Sequence, residues 1–178
     1  MRVIAGELRG RRLAAPSGPT VRPTADRVRE ALFSILGDVS GLRVLDLFAG
    51  SGALGIEALS RGAAEAVFVD SSRRAVTAVE ANLSALARAG TVHRREALAF
   101  LAEVAGAPRF ELVLIDPPYD AANRLATPLA ERLPPILAEN ARIVTESDKR
   151  RPLALPFPLV RERTYGDTRI AVHLGGGG

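Results

Sequence analysis

Four consecutive residues, Asp116-Pro117-Pro118-Tyr119, follow the apolar run Leu112 to Ile115 and carry the clearest chemistry in the chain. The exocyclic amine of a nucleobase is a poor nucleophile because its lone pair is delocalised into the ring. A carboxylate (Asp116) next to a proline carbonyl (Pro117) can accept its two N–H bonds, drawing the nitrogen towards tetrahedral geometry with the lone pair aimed at an incoming methyl carbon. The prolines fix the path, since each restricts φ and donates no competing N–H. Tyr119 offers a flat face for an extruded base, a contact worth about 1–3 kcal/mol. A Pro-Pro turn closed by an aromatic is the plain alternative. The motif's place after an apolar strand, where open α/β folds bind ligands, favours the chemical reading.

A second group lies upstream, in Asp46-Leu47-Phe48-Ala49-Gly50-Ser51-Gly52-Ala53-Leu54-Gly55. Gly50, Gly52 and Gly55 satisfy G-x-G-x-x-G after a strand and before a helix, a spacing that permits positive φ and presents free helix N–H groups. Asp70 ends the next strand, placed to accept hydrogen bonds from ribose hydroxyls. A nicotinamide dinucleotide would use the same features. Asp46 separates the two cofactors: a pyrophosphate beside this carboxylate would be repelled, whereas S-adenosylmethionine has no phosphate and offers an ammonium group. Phe48, Ser51 and Ser71 complete the expected cofactor lining. Glu96 and Ala97, after the third strand, could meet adenine, or Glu96 could serve as a helix N-terminal carboxylate. The plain alternative for the glycines is a tight turn without a ligand.

The elements that must position these residues follow from hydrophobic periodicity. Residues 2–13 suggest a small hairpin, followed by a Pro/Gly/Ser loop through Pro23. Thr24 can cap a helix over 25–36. Strands over 43–48, 66–69, near Val92, 112–115 and 141–145 alternate with helices over 53–61, 73–89, 97–104 and 125–137. Short apolar strands spaced by helices predict an α/β fold of the Rossmann-like kind, with a mostly parallel sheet. At the end, 159–164 and 169–174 are joined by a turn too short for a crossover helix, so they form an antiparallel hairpin. The division expected is an N-terminal basic appendage, 1–23, on a catalytic domain, 24–178.

Composition narrows the function classes. With 178 residues, 47% hydrophobic and 25% charged, the chain suits a packed globular fold. No cysteine is present, so disulfides, thiolate metal sites and cysteine nucleophiles are excluded, including pyrimidine-carbon methylation by covalent addition. His93 and His173 stand far apart, and no metal site is expected. There is neither a membrane-length apolar run nor a leader-like N-terminus, which predicts a soluble cytoplasmic protein. The net charge of +4 divides into basic ends, about +5 over residues 1–29 and +3 over 142–178, around an acidic centre. All basic residues but Lys149 are arginine, whose fork grips phosphate bidentately. Arg9, Arg11, Arg12, Arg22, Arg27 and Arg29 form a candidate RNA-phosphate strip. Arg27 or Arg29 could instead pair with Glu30 or Asp26 on the same helix.

The run 22–33 beginning Arg22-Pro23-Thr24-Ala25-Asp26-Arg27, the loop 46–55, Asp116 to Tyr119 and Tyr165-Gly166-Asp167-Thr168, in that order, resemble the RsmD-type bacterial 16S ribosomal RNA guanine-N2 methyltransferases. The opening Arg2-Val3-Ile4-Ala5-Gly6 and 8–13 are similar too, so the likeness covers nearly the whole chain. It implies a seven-stranded methyltransferase sheet and S-adenosylmethionine as cofactor. It further implies methylation of one guanine amine in a small-subunit hairpin loop, with the 30S subunit or a late assembly intermediate as partner, by a monomer. Asp46, Gly50, Gly52, Asp70 and the Glu96 position would hold the cofactor, and Asp116 to Tyr119 the base. Glu96 departs from the Asp expected there. Two other functions fit the motifs: an adenine or cytosine amino methyltransferase acting on DNA or RNA, and a non-catalytic RNA-binding assembly factor.

Overall fold

The computed structural model describes residues 1–16, 26–106, 109–118 and 120–175. Its centre is a seven-stranded sheet in the order β3-β2-β1-β4-β5-β7-β6. The strands are β1 (Arg43–Leu47), β2 (Glu65–Asp70), β3 (Thr91–Arg94), β4 (Phe110–Ile115), β5 (Leu137–Asp148), β6 (Leu159–Tyr165) and β7 (Thr168–Gly175). The first five run parallel, and β7 pairs antiparallel with both β5 and β6. This is the α/β architecture that the alternation of elements predicts, with the terminal hairpin supplying the antiparallel strands.

Five helices flank the sheet among the described residues: α1 (Asp26–Leu36), α2 (Ala53–Ser60), α3 (Arg73–Ala85), α4 (Ala97–Glu103) and α5 (Ala122–Arg132). Residues that alternate along each strand enter opposite cores. Val44, Leu112, Leu114 and Val144 pack with α1, α2 and α3 through Leu32, Ile56 and Val79. Leu45, Leu47, Val113 and Ile115 pack with α4 and α5 through Leu101 and Leu129. The central strands are buried on both faces, which explains their unbroken apolar runs.

Several boundaries move. The helix expected to reach residue 137 stops at Arg132, because Pro134 and Pro135 convert its end to a 3-10 turn and Leu137 opens β5. The helix expected through 89 ends at Ala85, with Ala87 in the left-handed region at φ 51°. β5 is 12 residues long, far beyond the apolar stretch 141–145, because β7 pairs with it from Ala141 to Asp148. The proposed Thr24 cap lies outside the described residues.

Residues 1–16 form a strap rather than a free hairpin. A single bridge joins Arg2 to Arg12, and Val3, Leu8 and Leu13 enter the α1–α3 core. The turn of the strap rests on the end of α2, where Glu7 N donates to Ser60 O (2.9 Å) and Leu8 N to Ser60 Oγ (3.0 Å). Gly6 is required here. Its φ is +80°, and a Cβ would stand 1.7 Å from Ser60 O.

Candidate active site

Register brings the two motifs to one rim. Leu47 of β1 pairs with Val69 of β2 on one side and Ile115 of β4 on the other, and Ile115 in turn pairs with Thr145 of β5. One residue further on, Asp70, Phe48, Asp116 and Glu146 therefore stand level across four adjacent strands, at or just past the ends of β2, β1 and β4 and two residues before the end of β5. Asp46 sits one layer deeper, paired with Leu114, on the same face as Asp116.

The glycine loop is held by carboxylates from this row. Asp70 Oδ2 accepts from Gly50 N (2.9 Å) and Oδ1 from Ser72 N (2.8 Å), which fixes the loop to the start of α3. Ser72 caps α3 by accepting from Ala75 N. Asp46 Oδ2 accepts from Gly55 N (2.9 Å) inside the first turn of α2. Asp46 is 1% exposed. Its carboxyl is pushed well above the ordinary range, first by burial and then by the nearby charges of Asp116 and Asp70, against the opposing pull of the Gly55 amide.

The three glycines have separate reasons. At Gly55 a Cβ would meet the Phe68 ring at 2.4 Å, so glycine there lets α2 lie close on β2. Gly52, at φ +77°, precedes α2 with Val79, Ile56 and Phe68 packed around it. Above Gly50, at φ +56°, a Cβ would meet nothing nearer than Phe48 O at 4.0 Å, so the backbone faces open space bounded by Asp70. Phe48 itself takes φ 63°, an unusual value for a non-glycine residue, where the chain leaves β1. This open backbone, beside a buried Asp46 whose anionic form a cation would favour, fits S-adenosylmethionine: Gly50 and Gly52 would face its amino-acid part, and Asp70 retains lone pairs for its ribose.

The remaining cofactor candidates are dispersed along the rim. Ser51 is buried, its carbonyl bonded by Asn82 and its hydroxyl 3.7 Å from Met1 Sδ. Ser71 is exposed between Asp70 and Ser72. Glu96 is the N-cap residue of α4 and exposed, but its side chain makes no capping bond, and Ala97 behind it is buried.

At the other corner Asp116 is half-buried, Pro117 buried and Pro118 exposed. The Pro118 carbonyl is taken by Ala121 N (2.9 Å) as the chain turns into α5. Among the described residues no donor meets the Pro117 carbonyl, which leaves that acceptor open. Tyr119 lies outside the described residues.

One member of the arginine strip is corrected. Arg29 is fully buried: it donates to Asp26 Oδ1 (3.0 Å) and to the Arg2 carbonyl, and its Nε lies 3.6 Å from Glu57. It anchors the strap and cannot reach RNA phosphate. The helix periodicity that put Arg29 with Val28, Leu32 and Phe33 was the signal for burial. Arg9, Arg12 and Arg27 are exposed, and exposed Arg11 donates to Ala85 O (2.9 Å) at the end of α3. Arg22 lies outside the described residues. The tip of the strap lies at the far end of α2, about 12 Å from the glycine loop at 1.5 Å per helical residue.

Motif reading passes over two buried residues that join the strap to the cofactor side. Glu57 accepts from Ile4 N (2.8 Å), Ala5 N (3.0 Å) and Arg61 Nε (2.8 Å). Asn82 accepts from Ala14 N (2.8 Å) and donates to Ala14 O (3.0 Å) and Ser51 O (2.9 Å). Both are polar residues on apolar helix faces, and that is the only mark they leave in the sequence. Among the described residues no group of acidic, histidine or cysteine side chains could hold a metal, and no helix is long and apolar enough to cross a membrane.

Known proteins share this arrangement. The model of the family described as Conserved hypothetical protein 95 matches residues 1–174. Ribosomal RNA small subunit methyltransferase D of Haemophilus influenzae is 36% identical over 93% of this chain and 89% of its own. The Escherichia coli K12 protein of the same name is 46% identical over 67% of this chain and 60% of its own. A solved structure of a Thermus thermophilus protein superposes with a TM-score of 0.85 at 31% identity, covering 98% of this chain and 99% of that one. The structure of yhhF from Escherichia coli gives 0.83 at 34% identity, covering 98% and 97%. With the match running from the strap through the last strand, the chain belongs to the Conserved hypothetical protein 95 family.

Proposed function

We propose that this protein is a ribosomal RNA methyltransferase of the RsmD type, transferring a methyl group from S-adenosylmethionine to the exocyclic N2 amine of a guanine in the 16S RNA of the small subunit. The observation that carries it is the shared rim: the β1–β4 pairing sets the glycine loop and the Asp116 corner one strand apart, with Asp46 feeling the charge of Asp116. The relatives named for small-subunit rRNA methylation supply the substrate class.

When bound, the cofactor supplies an electrophilic methyl group on a sulfonium. Gly50 and Gly52 let it approach the backbone, Asp70 takes its ribose hydroxyls, and Asp46 faces its cationic end. Phe48, Ser51, Gly55, Ser71, Glu96 and Ala97 frame the remainder. Asp116 and the Pro117 carbonyl accept the two amine N–H bonds, and Tyr119 stacks on the base. With the methyl group supplied by the cofactor, the Asp116 carboxylate would take the proton released from the amine or pass it to water. The strip reduced to Arg9, Arg11, Arg12, Arg22 and Arg27 holds phosphates, with residues 1–23 as the RNA-facing appendage of the domain 24–178. The reading places the enzyme in the cytoplasm, as a monomer on 30S particles or late assembly intermediates.

Incubation with methyl-tritiated cofactor and either small subunits lacking the modification or duplex DNA tests the reading. Label is expected in 16S RNA, and label confined to DNA would overturn it. Asp116→Ala should abolish transfer while cofactor binding persists; undiminished transfer would refute the role of Asp116 and favour another base-holding group.

A further inference from the structure

We infer that Glu146 selects guanine, accepting the base's N1–H next to the amine held by Asp116. The inference rests on the proposed function above, because it requires the Asp116 corner to hold the target base.

The placement follows from strand pairing. Ile115 and Thr145 are partners in the parallel β4–β5 ladder, so Asp116 and Glu146 come level at the rim on strands about 4.8 Å apart. Alternation puts both on the face of Leu114 and Val144, the face that also carries Asp46. Glu146 is only 5% exposed. A carboxylate this deep is costly to bury unless donors meet it, and its two oxygens offer about four acceptor positions, so an existing partner leaves capacity for another.

Base chemistry gives that position a consequence. In guanine the exocyclic amine neighbours N1–H, a donor, so two acceptors side by side match the edge. In adenine the amine neighbours N1, and in cytosine N3, each an acceptor lone pair that a carboxylate repels. Asp116 and Pro117 can hold any exocyclic amine. An adjacent buried carboxylate admits only the base whose next ring nitrogen carries hydrogen. Sites built to bond a substrate N–H reject analogues that lack it far more strongly than apolar pockets reject a methylene.

2-Aminopurine probes this contact, since it keeps the N2 amine but presents N1 as an acceptor; it also lacks O6, so the change of the ratio in a Glu146 variant carries the assignment. Small subunits are reconstituted with guanine or 2-aminopurine at the nucleotide found methylated by mass spectrometry. The wild-type kcat/KM for 2-aminopurine is expected to fall about 100-fold or more below that for guanine. In Glu146→Gln the amide can turn its N–H towards an acceptor N1, so the ratio should narrow by about 10-fold or more. A readout without turnover comes from 2-aminopurine fluorescence in the presence of S-adenosylhomocysteine, which should report a base more fully seated in the variant than in the wild type. Wild-type use of 2-aminopurine within about threefold of guanine overturns the inference, as does an unchanged ratio in a variant that melts like the wild type. Should Glu146→Gln fail to fold, Glu146→Ala is read in its place, with the ratio again expected to narrow and an unchanged ratio overturning the inference. Methylation of neither base in small-subunit RNA would instead bring down the parent function, and this inference with it.

Discussion

Asp46 Oδ2 accepts the Gly55 amide at 2.9 Å, so the acidic residue near the end of the first strand is also the peg on which the helix after the glycine loop is hung. The same carboxyl is almost wholly buried, near Asp116 and Asp70. It has a structural bond to keep and an electrostatic position that is unfavourable until a cation arrives.

That position sets a pH dependence. The carboxyl of Asp46 is raised well above the ordinary carboxylate range, chiefly by burial. Between that ordinary range and the raised value, the folded chain holds a proton that the unfolded chain has released. Its contribution to stability is therefore full below the window and is lost as pH rises through it. Asp46→Asn keeps an acceptor for Gly55 and removes the titration, so the ligand-free variant should melt higher than the wild type above the window. Bound ammonium and sulfonium charges favour the carboxylate, so wild-type affinity for S-adenosylmethionine should climb with pH across the window, with proton release visible by calorimetry in buffers of different ionisation heat. The variant should show weaker binding and no such climb; a pH-independent wild type would remove Asp46 from contact with the cofactor's charge.

Arg29 and Arg12 should separate stability from RNA binding. Arg29→Ala deletes the bonds to Asp26 and the Arg2 carbonyl and removes one of two cations beside buried Glu57, which keeps Arg61, for a cost of about 1.5–3 kcal/mol. Denaturant unfolding should show it, with no change in the salt dependence of RNA binding. Replacing exposed Arg9 and Arg12 with Ala should leave the unfolding midpoint within experimental error and flatten the salt slope of RNA binding. A flattened slope in Arg29→Ala at unchanged stability would contradict its placement.

Asn82 is expected to govern the cofactor loop from a distance. Asn82→Ala deletes three bonds and unpins the Ser51 carbonyl from the strap, for a cost of about 2–3 kcal/mol. Asn82→Asp should be worse than Ala, because an acceptor would then face the carbonyls of Ala14 and Ser51. Both variants should bind S-adenosylhomocysteine more weakly. Affinity equal to wild type in a folded Asn82→Ala protein would show that the loop is rigid without this clamp.

The sequence alone determined the parallel sheet, the terminal hairpin and both motifs. Those rest on local patterns: short apolar runs between helical periods, glycines where φ must be positive, and prolines beside an aspartate. It could not fix the end of the last helix to the residue. Nor could it show β5 extending to Asp148, because that extension depends on β7, twenty residues later in the chain.

Only the tertiary structure decided which charged residues are buried and which face solvent. Arg27 and Arg29 both enter the candidate phosphate strip by residue type, yet one turns to solvent and the other closes on Glu57 from a separate helix. Glu146 follows the expected strand 141–145 and belongs to no motif, and the β4–β5 ladder sets it level with Asp116. Local patterns record what a residue can do. Which residues meet depends on strand order and register, set by burial across the whole sheet.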